Sequence, residues 1–276
     1  MNNFVKRTLS SVVIFVVTVF GVIWDRTLFG ALFLFVLLMA LREFYTITLG
    51  EKFRLQQKLG VITALSAFVV VAGYYFYGWD LRWLAVVLAE LLLIPVSAVL
   101  FSSYDDFDRF GSIFAGLMYI ALPIALSPMM VMDGDVFDGW LLLSFFIVIW
   151  VSDVGAYCLG TLFGQGPNAR RLSPKISPKK SWVGFWSGMA FSVAATICLH
   201  FLTWLPFSIW HCIALGVIIN LGGVCGDLFE SMWKRRFGVK DSGNIIPGHG
   251  GMLDRIDSML IAVPLGAAYL AIFNLI

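Results

Sequence analysis

The sequence predicts an all-α polytopic membrane protein with about nine transmembrane helices, and three observations carry that reading. Hydrophobic residues make up 60% of the 276-residue chain and charged ones only 13%, with a mean hydropathy of +0.89. A soluble domain is nearer half apolar and a quarter charged. Apolar runs long enough to cross a bilayer recur along the chain, and the basic residues collect in alternate gaps between them. A β-barrel is excluded, because segments of about ten alternating residues do not occur.

Taken in order, the apolar runs place spans at 8–24, 27–41, 59–77, 81–101, 112–132, 139–162, 182–204, 207–229 and 256–275. Lys6 and Arg7 precede the first run as they would in a signal peptide. No small-residue cleavage site follows, so a retained first helix is expected. With the N-terminus inside and strict alternation, 17 of the 19 basic residues fall on the inner side, and only Arg26 and Arg82 fall outside. This asymmetry is the positive-inside pattern, giving an N-inside, C-outside topology. The segment 133–138 holds Asp133, Asp135 and Asp138 without a basic residue and falls outside. A single integral domain over 1–276 is expected. In it, 1–140 is mainly scaffold and 150–260 carries the polar motifs. Cys158, Cys198, Cys212 and Cys225 all lie in apolar runs without a CxxC pair, so they read as small core residues rather than zinc ligands or disulfides.

Four polar constellations interrupt this apolar background. Asp153 lies toward the inner end of the sixth span, with Gly155, Gly160 and Gly164 nearby to permit close helix approach. A carboxylate inside a bilayer is costly unless paired or metal-bound, so Asp153 is either a site residue or an interhelical hydrogen-bonding group. In the loop 170–182, Pro174 and Pro178 forbid a regular helix, and Lys175, Ser177, Lys179, Lys180 and Ser181 lead into the seventh span. Such a loop can cradle phosphate at a helix start. It can equally be an ordinary basic loop that holds anionic headgroups.

In the third constellation, Asp227, Glu230 and Ser231 stand at i, i+3 and i+4 on one helical face, and Lys234, Arg235 and Arg236 follow at once. This is a salt-bridged helix end or a divalent-metal site beside phosphates. The fourth runs over 240–258, with Pro247, Gly248, Gly250 and Gly251 forming a tight loop around His249. Asp254 and Asp257 then share the start of the last span, where the helix dipole favours anions. Hard oxygen donors without a His or Cys set suit Mg²⁺ or Mn²⁺ rather than zinc. With neighbouring cations suited to polyphosphate, the residues point to phosphoryl or nucleotidyl transfer to a lipid at the inner membrane surface.

The stretch SMWKRRFGVKDSGNIIPGHGGMLDRID, residues 231–257, closely resembles the C-terminal pattern of bacterial phosphatidate cytidylyltransferases, also called CDP-diacylglycerol synthases. Ser231, Lys234, Arg235, Lys240, Asp241, Gly243, Pro247, His249, Gly250, Gly251, Asp254, Arg255 and Asp257 match that pattern in order. Upstream, Gly226, Asp227, Glu230 and the run Ser177–Trp182 match too. Trp233 and Val183 depart from it, standing where the family has a smaller aliphatic residue and a Glu. The resemblance is close over 150–260. It implies a membrane-helix bundle with a polar cavity on the cytoplasmic side, in a bacterial cytoplasmic (inner) membrane.

The implied reaction joins CTP and phosphatidate into CDP-diacylglycerol and pyrophosphate with Mg²⁺, Mn²⁺ being the alternative and a second, monovalent cation allowed. Asp227 and Asp254 are the implied metal ligands, with Glu230 and Asp153 as additional ones. Lys175, Ser177, Lys179, Lys180, Ser231 and Lys240 are the candidate substrate-binding residues. Lys234, Arg235, Asp241, His249, Arg255 and Asp257 are the candidate catalytic ones. The expected partners are the two substrates and membrane lipids, with a homodimer left open and no nucleic acid. A CTP-dependent lipid kinase, or a cytidylyltransferase acting on another lipid, shares these features. An ion-coupled transporter is the remoter alternative, since the polar residues gather on one face and no repeat is visible.

Overall fold

The computed structural model describes residues 3–101, 107–166, 169–245 and 250–276. Among these, eight helices are long and apolar enough to cross a membrane, and a shorter apolar helix, Ser10–Ile23, precedes them. The chain is therefore an all-α polytopic membrane protein. It divides into two compact units, Met1–Asp138 with Asp241–Arg255, and Gly139–Lys240 with Ile256–Ile276.

The first unit begins with α1 (Asn3–Ile23), α2 (Arg26–Leu49), α3 (Arg54–Tyr77) and α4 (Leu84–Phe101). Asp25 starts α2 by accepting hydrogen bonds from Thr27 N (2.6 Å) and Leu28 N (3.0 Å). The Leu28 bond is the main reason its carboxyl is held below the ordinary carboxylate range. The fifth span, Arg109–Val131, is built from α5 (Phe107–Gly116), a π-turn, α6 (Leu122–Leu126) and a short 3₁₀ segment. Its core closes on Tyr45, whose hydroxyl donates to Ile113 O at 2.9 Å and whose ring covers Gly60 and Gly116. β1 (Met132–Asp133) and β2 (Val136–Phe137) form a minimal hairpin, turned at Gly134 with φ +58°.

The second apolar run, 27–41, is short for a span and leaves room to run on toward Ile47; the helix continues through Arg42 and Glu43 to Leu49. The physical reason is that Glu43 is bonded within the unit rather than left in lipid.

The second unit contains α7 (Trp140–Phe163), β3 (Arg171–Ser173), β4 (Ser177–Ser181), α8 (Trp182–Phe201), α9 (Ile209–Arg236) and α11 (Met259–Ile272). The one-turn helix α10 (Leu253–Ile256) carries the chain across the division between the units. The prolines of the 170–182 loop exclude helix as expected, but the loop is an antiparallel β-hairpin, pairing Arg171 with Ser181 and Ser173 with Ser177. α9 runs on to Arg236, past the expected span end at 229, so Lys234 and Arg235 sit on the same helix as Asp227 and Glu230.

α7, α8, α9 and α11 pack through glycines. A Cβ on Gly216 would lie 2.7 Å from Val193 Cα of α8, and one on Gly222 would lie 2.6 Å from Ala262 Cα of α11. Small residues let backbones touch where burial against lipid supplies no driving force. Cys212 is buried, but Cys158, Cys198 and Cys225 are exposed, so only one of the four is a core residue. A small apolar thiol is as comfortable against lipid as in protein.

The glycine seam makes a stability prediction. Gly222→Val should destabilise the detergent-solubilised protein by about 1–3 kcal/mol, since it overpacks against backbone that cannot rotate away. Gly30→Ala, with nothing within 4 Å of its Cβ, should be neutral or slightly stabilising. Thermal unfolding of both variants measures the contrast.

Candidate functional site

In the second unit the polar residues converge on the end of α9. Asp227 stands there half-buried, and its Oδ2 lies 2.6 Å from Lys180 Nζ. Ser231 Oγ, one turn on, donates to Asp227 Oδ1 at 3.2 Å. Asp153 of α7 and Asp257, just before α11, both lie within electrostatic reach of Asp227, and Asp257 also feels Asp153 and Lys234. Three carboxylates, from α7, from α9 and from the turn before α11, thus lie within one another's field, with Lys180 bound to one of them.

Local sequence explains the convergence. A Cβ on Gly226 would stand 2.3 Å from Asp257 O, so glycine is required one residue before Asp227 for the two chains to pass. Gly160 lies against Gly184 and would bring a Cβ 3.1 Å from its Cα, which draws the end of α7 onto the start of α8. The β3–β4 hairpin is tied to that same end. Gln165 Nε2 donates to Lys179 O at 3.0 Å, and Trp182 N donates to Arg170 O at 3.1 Å. Ser181 caps α8 by accepting from Gly184 N at 3.1 Å. Lys180 is thereby delivered to Asp227, while Lys175 and Lys179 remain exposed and Ser177 is half-buried.

One polar contact here escaped the sequence reading. Ser152 Oγ donates to Asn220 Oδ1 at 2.8 Å, and both residues are buried. Gly188 of α8 lies over the pair, where a Cβ would be 3.0 Å from Asn220 Oδ1. The bond fixes α7 against α9 one residue before Asp153. Its only signal in the sequence was an Asn inside an apolar run.

Glu230 and Lys234 form an i,i+4 ion pair with side chains only 1% and 11% exposed. Arg235 is exposed and donates to Val239 O at 3.1 Å, and Lys240 is exposed.

The first unit holds Asp241, Asp254 and Arg255. Asp254 Oδ2 accepts from Ser242 N (3.0 Å) and Gly251 N (2.8 Å). Asp254 and Asp257 do not share one continuous helix, because α10 ends at Ile256 and α11 begins at Met259. Backbone amides, rather than a long helix dipole, therefore face the Asp254 carboxylate. Asp241 and Arg255 are exposed. His249 and Pro247 lie outside the described residues.

The donor set is compatible with Mg²⁺ or Mn²⁺. Among the described residues, no three His, Cys, Asp or Glu side chains form a ready-made metal cage. Mg²⁺ does not need one, since it is held by one or two carboxylates together with substrate phosphates and water. Asp227 in the second unit and Asp254 in the first are each a carboxylate already oriented by hydrogen bonds, and each by itself offers the oxygen donor Mg²⁺ accepts.

The buried pair makes its own prediction. Lys234→Met strips Glu230 of this ammonium inside the unit and should cost about 3–5 kcal/mol. Adding Glu230→Leu should recover most of that loss. Thermal unfolding of the single and double variants distinguishes a buried structural pair from one that contributes only to chemistry.

Comparison with known proteins gives the family. The model of the Cytidylyltransferase family matches residues 5–273. A protein named phosphatidate cytidylyltransferase from Bacillus subtilis is 31% identical over 99% of this chain and 100% of its own length. Proteins of the same name from Staphylococcus saprophyticus and Staphylococcus epidermidis are 32% and 42% identical over 75% and 44% of this chain. The Staphylococcus epidermidis match spans 45% of that relative's length. Matched over nearly its whole length, the chain belongs to the cytidylyltransferase family.

Proposed function

We propose that the chain is a phosphatidate cytidylyltransferase, transferring CMP from CTP to phosphatidate to give CDP-diacylglycerol and pyrophosphate. The observation that carries this reading is Asp227, a carboxylate at the end of a membrane helix that holds Lys180 at 2.6 Å beside Asp153 and Asp257. Opposed charges gathered in this way suit the handling of a metal–triphosphate. The full-length likeness to the Bacillus subtilis relative supports the same chemistry. The basic residues on the inner side support a cytoplasmic-membrane location with the site facing the cytoplasm.

The reaction needs little from a general base. The second pKa of a phosphomonoester is about 6, so the lipid phosphate is already anionic near neutral pH. Its oxygen bonds to the α-phosphorus of CTP as the bond to the β-phosphate oxygen breaks, and pyrophosphate leaves. The protein must bring two anions together. The half-exposed Lys180 can trade Asp227 for a phosphate oxygen, while Lys175, Lys179 and Ser177 on the hairpin extend the cationic surface. Lys240, Arg235 and Arg255 are exposed cations suited to the same task.

Asp227 is the proposed Mg²⁺ ligand of the second unit, with Asp153 and Asp257 adding negative charge around it, and Asp254 of the first unit is the ligand that the family resemblance adds. When bound, the metal would neutralise phosphate charge and stabilise the departing pyrophosphate. Ser231 orients Asp227 through its 3.2 Å bond, and Glu230 holds Lys234 on the same helix.

Purified protein incubated with CTP, phosphatidate and Mg²⁺ should yield a lipid heavier by CMP in mass spectrometry. Asp227→Asn and Asp254→Asn should each cut turnover by more than about 100-fold, and Ser231→Ala by about tenfold, as expected for a ligand and for the group that orients one. Near-full turnover of both Asn variants at saturating Mg²⁺ would remove the ligand assignment. A lipid product carrying only one added phosphate would make the protein a kinase. In a separate series, Lys179→Ala should raise the KM for CTP more than that for lipid. An effect confined to lipid would reassign the hairpin to the acceptor.

A further inference from the structure

Glu43 lies on α2, far in sequence from every motif that carries the family likeness. Its carboxylate nevertheless reaches the two arms of the 241–254 segment within the first unit. Oε1 accepts from Met252 N at 2.8 Å, and Oε2 accepts from Leu253 N at 2.9 Å and from Ser242 Oγ at 2.9 Å.

The neighbouring amides complete a pattern. Gly251 N donates to Asp254 Oδ2 at 2.8 Å, and Asp254 N donates to Ser242 Oγ at 3.3 Å. All four consecutive N–H groups from 251 to 254 are therefore satisfied by side-chain oxygens. Three of them, Met252 to Asp254, stand at the start of α10, where amides lack intrahelical partners. A carboxylate is the strongest acceptor available there, since a charged acceptor roughly doubles the strength of a neutral hydrogen bond. The glycines fit the same account. A Cβ on Gly243 or Gly251 would come within 2.5 Å of a Glu43 oxygen, so both arms approach the carboxylate only because they lack side chains.

We infer that Glu43 is a positioning residue for the reaction: by clamping Ser242, Met252 and Leu253 it sets the backbone that aims Asp254. Ser242 links the two carboxylates directly. Its hydroxyl donates to Glu43 while its own N–H donates to Asp254 Oδ2 at 3.0 Å. Loss of Glu43 frees the two central amides and the Ser242 hydroxyl together, and the Asp254 carboxylate loses its fixed direction. The inference rests on the proposed ligand role of Asp254.

The test uses full-length, detergent-solubilised protein carrying Glu43→Gln, Asp254→Asn, or both. Gln keeps the length of Glu but presents an amide N–H₂ to amide donors. Hydrogen exchange read by mass spectrometry should accelerate at least tenfold in peptides covering 241–245 and 250–254, with α7, α8 and α9 unchanged. Turnover of Glu43→Gln should fall about 10- to 100-fold, the range for groups that orient a metal ligand. The Mg²⁺ concentration for half-maximal activity should rise, while the KM values for CTP and lipid change less than about twofold.

In the double variant the losses should not multiply, because a residue that acts through Asp254 has nothing further to remove once Asp254 is changed. Unchanged exchange in this segment, or losses that multiply, would overturn the inference while an inactive Asp254→Asn left the proposed function standing. A fully active Asp254→Asn would sink the ligand assignment and this inference with it. Should Glu43→Gln fail to fold, Ser242→Ala removes one of the three bonds and must shift exchange and Mg²⁺ dependence in the same direction, or the inference fails.

Discussion

The chemistry of the second unit depends on backbones that touch. Asp153 and Asp227 belong to α7 and α9 and Asp257 to the turn before α11, and no covalent feature brings them together. What does so is the absence of side chains at Gly226, where a Cβ would stand 2.3 Å from Asp257 O, and at Gly160 and Gly184, where one would be 3.1 and 3.0 Å from backbone, tighter than an ordinary contact. In a bilayer, burying an apolar side chain against another helix gains little over burying it in lipid. Close van der Waals contact and buried polar bonds must then hold the helices, and the Ser152–Asn220 bond supplies one beside the carboxylates. The same glycines that stabilise the bundle therefore fix how near the negative charges stand.

The two lysine–carboxylate pairs of α9 and its neighbours differ in kind. Glu230 and Lys234 are almost wholly buried, while Asp227 and Lys180 keep 34% and 26% of their side-chain surface exposed. A sealed pair is expensive to open because each charge would be stranded. A half-exposed pair has water and ligands within reach, and exchanging one counter-ion for another costs much less. One pair is suited to holding the helix end and the other to meeting a substrate.

Much of this was legible in the sequence. Helix number and position followed from apolar runs, and the grouping of Asp227, Ser231, Glu230 and Lys234 followed from helical spacing. Glu43 was not legible. Hydropathy reads a charge at the end of an apolar run as the end of a span, and nothing local reveals a hydrogen-bonding partner 199 residues away. The β3–β4 hairpin was hidden for a different reason. Proline rules out helix without choosing among extended forms, and the pairing of Arg171 with Ser181 is decided by the hairpin's attachment to α7. Asp254 and Asp257 misled because i,i+3 spacing implies a shared face only if the helix is unbroken, and here it breaks between them.

The division of the chain has a consequence for how the protein is made. Asp241–Arg255 belongs with Met1–Asp138, although the whole of α7, α8 and α9 is synthesised between them. Until that late segment emerges from the ribosome, Glu43 lacks the amides and hydroxyl it binds in the finished molecule. For most of synthesis the first unit thus carries this acid on α2 without those partners. Long-range contacts of this kind form last and slowly. Assembly of the amino-terminal half is completed only when nearly the entire polypeptide has been inserted.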